Sequence, residues 1–196
     1  LTGGISQALD FVCGLFTRPG DKVLVEGPSY PCSFQIFRDH GLELVPVPLD
    51  ERGLDVGKLE RLVAEHRPKL LYTIFVMARL PGSRYDRGRR ARLAALSREH
   101  GLIILPDEVY QLLYPGAPPP PSFGTLAAAG NVLALGSFSK ILAPGLRLGW
   151  IQAGKELMSR LYAAGTLVSG GNFNRFTSLL VSGLMEGGEL AGYVTH

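Results

Sequence analysis

The chain has 196 residues, of which 46% are apolar, and this is enough to bury one sizeable core. No run approaches the roughly 18 consecutive apolar residues of a membrane span. Two cysteines are too few for a disulfide framework or a tetrahedral zinc site. A net charge of +3 is only a weak argument for an acidic partner. We therefore expect a globular protein of a reducing compartment, the cytoplasm, without a membrane or metal partner.

Strand-like apolar runs alternate with helical patterns along the chain. In chain order, the predicted helices cover residues 6–16, 54–66, 85–100, 155–164 and 173–186, and the predicted strands cover residues 22–27, 42–48, 70–77, 102–109, 132–139 and 147–153. Asp55 is the expected N-cap of the second helix. Because nearly continuous apolar strands are separated by helices, the pattern predicts an α/β fold with a mostly parallel sheet flanked by helices.

Two segments have an unusual composition. The proline run at residues 117–121 is interpreted as a stiff surface loop. The arginine-rich segment 83–100 suggests a nucleic-acid contact at first sight, but Leu93 and Leu96 are expected to face inward and the arginines outward. We interpret the segment as a solvated helix face and expect no nucleic-acid partner.

A glycine pair, Gly3 and Gly4, leads into the first predicted helix. The free N–H groups and positive dipole end of a helix start bind phosphate well, so the amides near Gly4 and Ile5 and the Ser6 hydroxyl are candidate phosphate ligands. An ordinary helix cap after a loop is the alternative interpretation, and so short a motif does not decide between the two.

Asp107 follows the apolar run of the fourth predicted strand, where a buried carboxylate needs a cationic or donor partner. Tyr110 comes three residues later and is expected to point into the same cleft. Asp107 alternatively caps the next turn, as strand-end acids often do.

Two hydroxyls, an amine and a guanidinium lie close together in the segment GSFSKILAPGLRLGW, as Ser137, Ser139, Lys140 and Arg147. Lys140 lies either at the surface or in an apolar site. In an apolar site an amine loses its proton more readily and attacks aldehydes, and a guanidinium suits a phosphate. Pyridoxal phosphate carries an aldehyde, a phosphate and a pyridine nitrogen that needs a carboxylate partner. Lys140 suits the aldehyde, Arg147 the phosphate and Asp107 the nitrogen.

The same segment closely resembles the lysine motif of the class I/II (fold type I) pyridoxal-phosphate-dependent aminotransferases. It is most similar to the branch that handles 2-aminoadipate, kynurenine and other bulky amino acids. The family's motifs occur in order, as GGISQAL, GPSYPCS with Tyr30, DEVY, SFSK and Arg147, and 33 residues separate Asp107 from Lys140, as the resemblance requires. The likeness covers essentially the whole chain.

The resemblance implies a role for each matching residue. Lys140 would bond to the cofactor aldehyde and carry the α-proton, Asp107 would keep the ring nitrogen protonated, and Tyr110 would donate to the phenolic oxygen. Tyr30 would stack on the ring. The phosphate would be bound by Gly4, Ile5, Ser6, Ser137 and Arg147, while Ser139 shapes the turn.

The sequence departs from the family pattern after the third predicted strand. Most relatives carry Asn-Pro-Thr-Gly there, whereas this chain reads VMARLPGSRY and places Arg79, 28 residues before Asp107, at the asparagine position. Arg79 would bind the phenolic oxygen or a substrate carboxylate, perturb the pKa of the aldimine between Lys140 and the cofactor, or turn to solvent. Divergent activity is favoured over loss of activity because the other charged site residues are present.

The resemblance also implies a larger protein, since relatives are about twice as long. We expect residues 1–165 to be the core of the cofactor-binding large domain, and residues 166–196 a helix leading toward a missing C-terminal small domain. The chain is thus expected to be a fragment with an exposed apolar face. The implied substrates are an amino acid and a 2-oxo acid, and the implied assembly is a homodimer. The alternatives are a non-catalytic sensor domain of a transcription regulator and a pseudoenzyme.

Overall fold

The structure, a computed structural model, describes residues 1–27, 29–51, 53–74, 87–113, 121–170 and 173–195. The helices are α1 (Ile5–Phe16), α2 (Pro31–Asp39), α3 (Val56–His66), α4 (Arg87–His100), α5 (Lys155–Tyr162), α6 (Gly165–Gly170), α7 (Arg175–Glu186) and α8 (Glu189–Thr195). The strands are β1 (Lys22–Gly27), β2 (Glu43–Asp50), β3 (Gly53–Leu54), β4 (Leu70–Ile74), β5 (Ile103–Asp107), β6 (Leu133–Ser137) and β7 (Gly149–Ala153). Short 3₁₀ helices lie at Phe123–Leu126 and Pro144–Leu146.

The strands form one sheet in the order β3-β2-β1-β4-β5-β6-β7. The five central strands are parallel, while β3 and β7 pair antiparallel at the two edges. This arrangement confirms the predicted α/β fold with a mostly parallel sheet flanked by helices. Because β4, β5 and β6 run in the same direction, their last residues, Ile74, Asp107 and Ser137, lie together at the carboxyl-terminal end of the sheet.

Helices cover both faces of the sheet, and the strand residues alternate between the two resulting cores. Val23 and Val25 of β1 pack in the core that includes α1, α2 and α5, whereas Leu24 packs in the core that includes α3 and α4. This alternation follows from the two-residue period of a strand. Burial on both faces explains why the central strands are almost wholly apolar.

The start of α3 and the presence of α2 bear on the predicted helices. Helix α2 was not predicted, because its proline start reads as a turn, yet Pro31 fits the first helical turn. Helix α3 starts after Asp55, whose side chain accepts the Lys58 amide at 3.0 Å, so the predicted N-cap is confirmed. The predicted inclusion of Leu54 in that helix is wrong, because Leu54 pairs in β3.

The expectation that the arginines of α4 all point outward is wrong for Arg90. Its side chain is buried, with the guanidinium 4.5 Å from the centre of the Phe123 ring and a bond to the Pro121 carbonyl. A flat guanidinium can be buried in this way because the ring face attracts the cation and the carbonyl accepts a hydrogen bond from it. Residues 85 and 86 of the predicted helix and residues 117–120 of the predicted proline loop lie outside the described residues.

Beyond residue 164, the described residues form the three helices α6, α7 and α8. Several large apolar side chains of this region are exposed, namely Val168, Phe176, Leu179, Leu180, Met185 and Tyr193. The expected apolar surface is therefore present in the C-terminal helices. Among the described residues, no helix combines the length and the apolar character that crossing a membrane requires.

Candidate cofactor site

A cavity of about 260 Å³ opens at the carboxyl-terminal end of the sheet, beside the last residues of β4, β5 and β6. The start of α1 and the start of α2 close it from the side. The predicted site residues that line this cavity are Ile5, Ser6, Tyr30, Asp107, Tyr110, Ser137, Lys140 and Arg147. Residues separated by more than 140 positions in the sequence are thus brought to one place by the parallel sheet. Arg79, also predicted for the site, lies outside the described residues.

Asp107 is the last residue of β5, and its side chain is buried. Its carboxylate accepts the Tyr72 hydroxyl at 2.8 Å and the Val109 amide at 3.1 Å. Burial raises the pKa of Asp107 above its usual range, and these two hydrogen bonds only partly oppose the rise. Within the part of the chain that the structure describes, Asp107 forms no ion pair. The acid therefore suits a cationic group that enters the cavity.

Lys140 lies in the turn that follows β6, and its side chain is exposed along the cavity. Of the two alternatives for Lys140, a surface position and an apolar site, the structure therefore shows the surface position. The physical reason is that the turn is anchored by Phe138 and Ile141, which are buried beneath it, so the side chain between them points away from the core. The lysine amine is left accessible in an open cleft, where a ligand aldehyde can reach it.

Ser137 holds the start of that turn. Its hydroxyl donates to the Ser139 hydroxyl at 3.0 Å and accepts the Ser139 amide at 3.1 Å. Its oxygen also lies 3.3 Å from the Leu148 carbonyl oxygen. Both serines line the cavity, so Ser139 belongs to the same cluster, although its bonds to Ser137 mainly shape the turn.

Arg147 and the start of α1 form the second half of the cavity. The guanidinium lies 3.3 Å from the Gly3 carbonyl oxygen, to which it donates. Gly4 has a φ of 95°, and a Cβ atom at this position would lie 2.9 Å from the Arg147 guanidinium, so glycine is required here. With the Ser6 hydroxyl and the first amides of α1, these groups form a concentration of hydrogen-bond donors suited to a phosphate.

Tyr30 and Tyr110 stand at the rim of the cavity, 52% and 38% exposed. Tyr30 precedes α2, and its hydrogen bond with the Cys32 thiol raises the pKa of its hydroxyl. The exposed faces of these two rings are available to a flat ligand, since aromatic rings stack well on one another.

Sequence reasoning missed Tyr72, whose hydroxyl is the nearest donor to the Asp107 carboxylate. The signal was a single tyrosine in the apolar strand LLYTI, because a buried tyrosine hydroxyl requires a partner. It also missed Cys32 and Ser33 of α2, which line the cavity, since α2 itself was not predicted.

The cavity therefore holds an accessible amine, a buried acid without a cationic partner among the described residues, and a phosphate-sized set of donors. These three groups match the aldehyde, the ring nitrogen and the phosphate of pyridoxal phosphate. The fold and this site define the class of fold type I pyridoxal-phosphate-dependent enzymes.

The chain belongs to the aminotransferase class I and II family, whose profile matches residues 1–189. Aromatic-amino-acid aminotransferase 1 of Thermococcus litoralis is 36% identical over 98% of this chain and 47% of its own length. An uncharacterized HTH-type transcriptional regulator of Bacillus subtilis is 30% identical over 82% of this chain and 33% of its own length.

A solved structure shows the same fold with a ligand derived from the cofactor. The α-aminoadipate aminotransferase LysN of Thermus thermophilus, complexed with N-(5'-phosphopyridoxyl)-L-leucine, matches with a TM-score of 0.85 and 34% identity. The match covers 99% of this chain and 50% of LysN. The chain thus spans about half the length of these two aminotransferases and about a third of the regulator. The cofactor of this family, pyridoxal phosphate, fits the groups present in the cavity.

Proposed function

We propose that the chain supplies the cofactor-binding part of an aminotransferase. This enzyme would move an amino group from a bulky or dicarboxylic amino acid, such as 2-aminoadipate, to a 2-oxo acid. The observation that carries the proposal is the meeting of Lys140, Asp107 and Arg147 around one cavity. The names of the similar enzymes, an aromatic-amino-acid and an α-aminoadipate aminotransferase, support the choice of substrate class.

Bound pyridoxal phosphate supplies an aldehyde that bonds to amines and a ring that withdraws electrons from the neighbouring carbon. Around it, the Lys140 amine would hold the cofactor and carry a proton to and from the substrate α-carbon. The buried Asp107 carboxylate would keep a proton on the ring nitrogen, because an isolated buried charge is stabilised by an opposite one. The Tyr72 hydroxyl would fix the orientation of that carboxylate.

The remaining lining residues would bind and orient the cofactor. Tyr30 would cover the face of the ring and Tyr110 would donate to the phenolic oxygen. Arg79 would approach the phenolic oxygen or the substrate carboxylate. The phosphate would be held by Gly4, Ile5, Ser6, Ser137 and Arg147, through amides at a helix start, two hydroxyls and a guanidinium.

The assembly and its setting are further parts of the proposal. We place residues 1–165 in the core of the large domain, and residues 166–196 in the connection toward a small domain. The exposed apolar side chains of α7 fit a surface that the rest of a larger protein or a second copy covers. We propose a homodimer in the cytoplasm that acts on small amino and oxo acids.

A non-catalytic sensor domain is the weaker candidate. A regulator among the relatives supports it, but that protein is less similar to this chain than the aromatic-amino-acid aminotransferase is. The lysine, aspartate and arginine of the cofactor site do not separate the two candidates, because a sensor that binds the cofactor needs them as well. A panel of amino acids, scored for amino-group transfer, separates an enzyme from a sensor.

The direct test of the site is an absorbance titration of the chain with pyridoxal phosphate, followed by borohydride reduction and peptide mass analysis. We expect a visible absorbance band and a reduced adduct on Lys140. The variant Lys140→Met should lose both, whereas Lys155→Met, at the exposed start of α5, should keep both. No band, or adducts spread over surface lysines, contradicts the proposed site in this chain.

A further inference from the structure

The backbone at Arg147 adopts a conformation that an arginine seldom takes. Its φ is 47° and its ψ is 52°, which is the left-handed helical region, at the end of the 3₁₀ helix Pro144–Leu146. Arg67 is the other non-glycine residue with positive φ among those described, and it ends α3 as an ordinary helix cap. A side chain on a left-handed residue is disfavoured unless the surroundings hold it, so contacts near Arg147 are expected to maintain this turn.

Asn174 makes such contacts. Its side-chain amide donates to the Leu146 carbonyl at 3.1 Å and to the Arg147 carbonyl at 2.9 Å. Both acceptors belong to the turn that carries the Arg147 side chain into the cavity, and both lie more than 25 positions away in the sequence. The Asn174 amide therefore closes a bridge between the C-terminal helices and the cofactor site.

Capping of α7 does not account for these bonds. Asn174 is the residue before α7, where asparagine commonly accepts an amide of the first turn, but its side chain makes no capping bond there. Its amide nitrogen is directed at the turn instead. The side chain thus has a geometry suited to holding the backbone of Arg147.

The orientation of the Arg147 guanidinium depends on that backbone. The guanidinium donates to the Gly3 carbonyl at 3.3 Å and to the Pro144 carbonyl at 3.4 Å, and both distances are long. These weak contacts alone do not fix the guanidinium. Its position therefore depends on the direction in which the Cα–Cβ bond of Arg147 leaves the turn, and Asn174 holds the backbone of that turn. The guanidinium lies next to Gly4, at the start of α1.

We infer that Asn174 is a positioning residue for the phosphate end of the cofactor site, which acts by holding Arg147 in its left-handed turn. The inference rests on the proposed cofactor role of Arg147. It gives Asn174, the residue before α7, a specific task, because Asn174 would support anion binding without lining the cavity itself.

The test compares two ligands that differ only in the phosphate, pyridoxal phosphate and pyridoxal. Both present the same aldehyde to Lys140, so the ratio of their dissociation constants isolates the phosphate contacts. We expect Asn174→Ala to weaken pyridoxal phosphate about tenfold and to change pyridoxal less than about twofold. Asn174→Asp keeps the shape of the side chain but removes its N–H donors, and should give the same selective loss if the alanine variant does not fold.

Asn131→Ala is the matched control. The Asn131 amide also donates to a backbone carbonyl, that of Ser97 at 2.9 Å, but Asn131 does not line the cavity. This variant should leave the dissociation constants of both ligands unchanged. A selective loss of phosphate affinity in Asn131→Ala would overturn the inference, since the effect would then be one of general stability.

A double-mutant cycle with Arg147→Ala supplies the decisive outcome. If Asn174 acts through Arg147, the Asn174→Ala change should cost little further affinity for pyridoxal phosphate once Arg147 is gone. Additive losses, or equal losses for both ligands, overturn the role of Asn174 and leave the cofactor site standing. A wild-type chain that binds pyridoxal phosphate no better than pyridoxal overturns the phosphate role of Arg147 itself.

Discussion

Asp107 and Glu108 are neighbours at the end of β5, yet their carboxylates are buried in different surroundings. Glu108 accepts the Ser122 hydroxyl and the Phe123 amide, both at 2.6 Å. Burial raises the pKa of Glu108, and these two hydrogen bonds and the charge of Arg90 oppose the rise. Asp107 faces the cavity and accepts only the Tyr72 hydroxyl and the Val109 amide among the described residues. Burial raises the pKa of Asp107 as well, but among the described residues no cation opposes the rise there.

The difference separates an acid that serves the fold from one that serves a ligand. Burying a carboxylate is costly, and the cost is recovered only when a cation and hydrogen-bond donors surround it. Around Glu108 the protein supplies both the cation and the donors, so Glu108 ties the segment after the proline run to the sheet. Among the described residues, the Asp107 carboxylate has hydrogen-bond donors but no cation, which leaves the position of the cation to the cofactor ring.

The largest expected effect is on cofactor binding by Asp107→Asn. Removing one partner of a buried ion pair costs about 3–5 kcal/mol, so the affinity for pyridoxal phosphate should fall by at least about a hundredfold. The absorbance titration measures this loss. Unfolding of the cofactor-free chain in urea should change little, since relief of the buried charge offsets the hydrogen bond that asparagine loses.

Glu108→Gln should show the opposite pattern. Glutamine offers one acceptor oxygen in place of two and no charge for Arg90, so one of the two donors is left unsatisfied. The free energy of unfolding should fall by about 2 kcal/mol, measured by urea denaturation. The affinity of the folded variant for the cofactor should stay within about threefold of wild type. If Glu108→Gln lost the cofactor and kept its stability, the two acids would have exchanged roles.

The sequence alone was sufficient to predict the strands at the centre of the sheet and the site residues next to them. Asp107 and Ser137 end short apolar strands and Lys140 follows one, and the parallel arrangement brings such strand ends together. The polar groups at the carboxyl ends of these strands could therefore be assigned to one cleft from the sequence. Their resemblance to a known family then assigned a role to each.

The remaining features depend on contacts that no local pattern encodes. The exposure of Lys140 follows from Phe138 and Ile141 burying themselves beneath the turn. The burial of Arg90 follows from a ring more than thirty residues away. Helix α2 was missed because the proline at its start also fits a turn. Each of these outcomes is tertiary, since the packing partner decides between two local choices.

The pH dependence of stability provides the next comparison. A carboxyl whose pKa is raised on folding contributes stability that is complete below its unfolded pKa and is lost as the pH rises through its folded value. For Asp107, whose ordinary pKa is 3.8, the cofactor-free chain should lose stability as the pH rises above about 4. One group gives at most about 1.4 kcal/mol per pH unit. Unfolding measured along a pH series should show a smaller loss in Asp107→Asn. An unchanged slope in that variant would show that Asp107 titrates alike in the folded and unfolded chain.

The smallest expected effect comes from Tyr72→Phe, which removes one hydroxyl and leaves the ring that packs against Phe37, 5.5 Å away between centres. The hydrogen bond from Tyr72 lowers the pKa of Asp107, so its loss should raise that pKa further, as carboxyl carbon NMR can measure. A less firmly oriented carboxylate should weaken pyridoxal phosphate about fivefold, equivalent to about 1 kcal/mol. Tyr162→Phe, on the exposed end of α5, is the matched control and should leave both quantities unchanged. If Tyr72→Phe weakened the cofactor as much as Asp107→Asn does, the hydroxyl rather than the carboxylate would be the main partner of the ring, and the contrast between Asp107 and Glu108 would have to be drawn at Tyr72 instead.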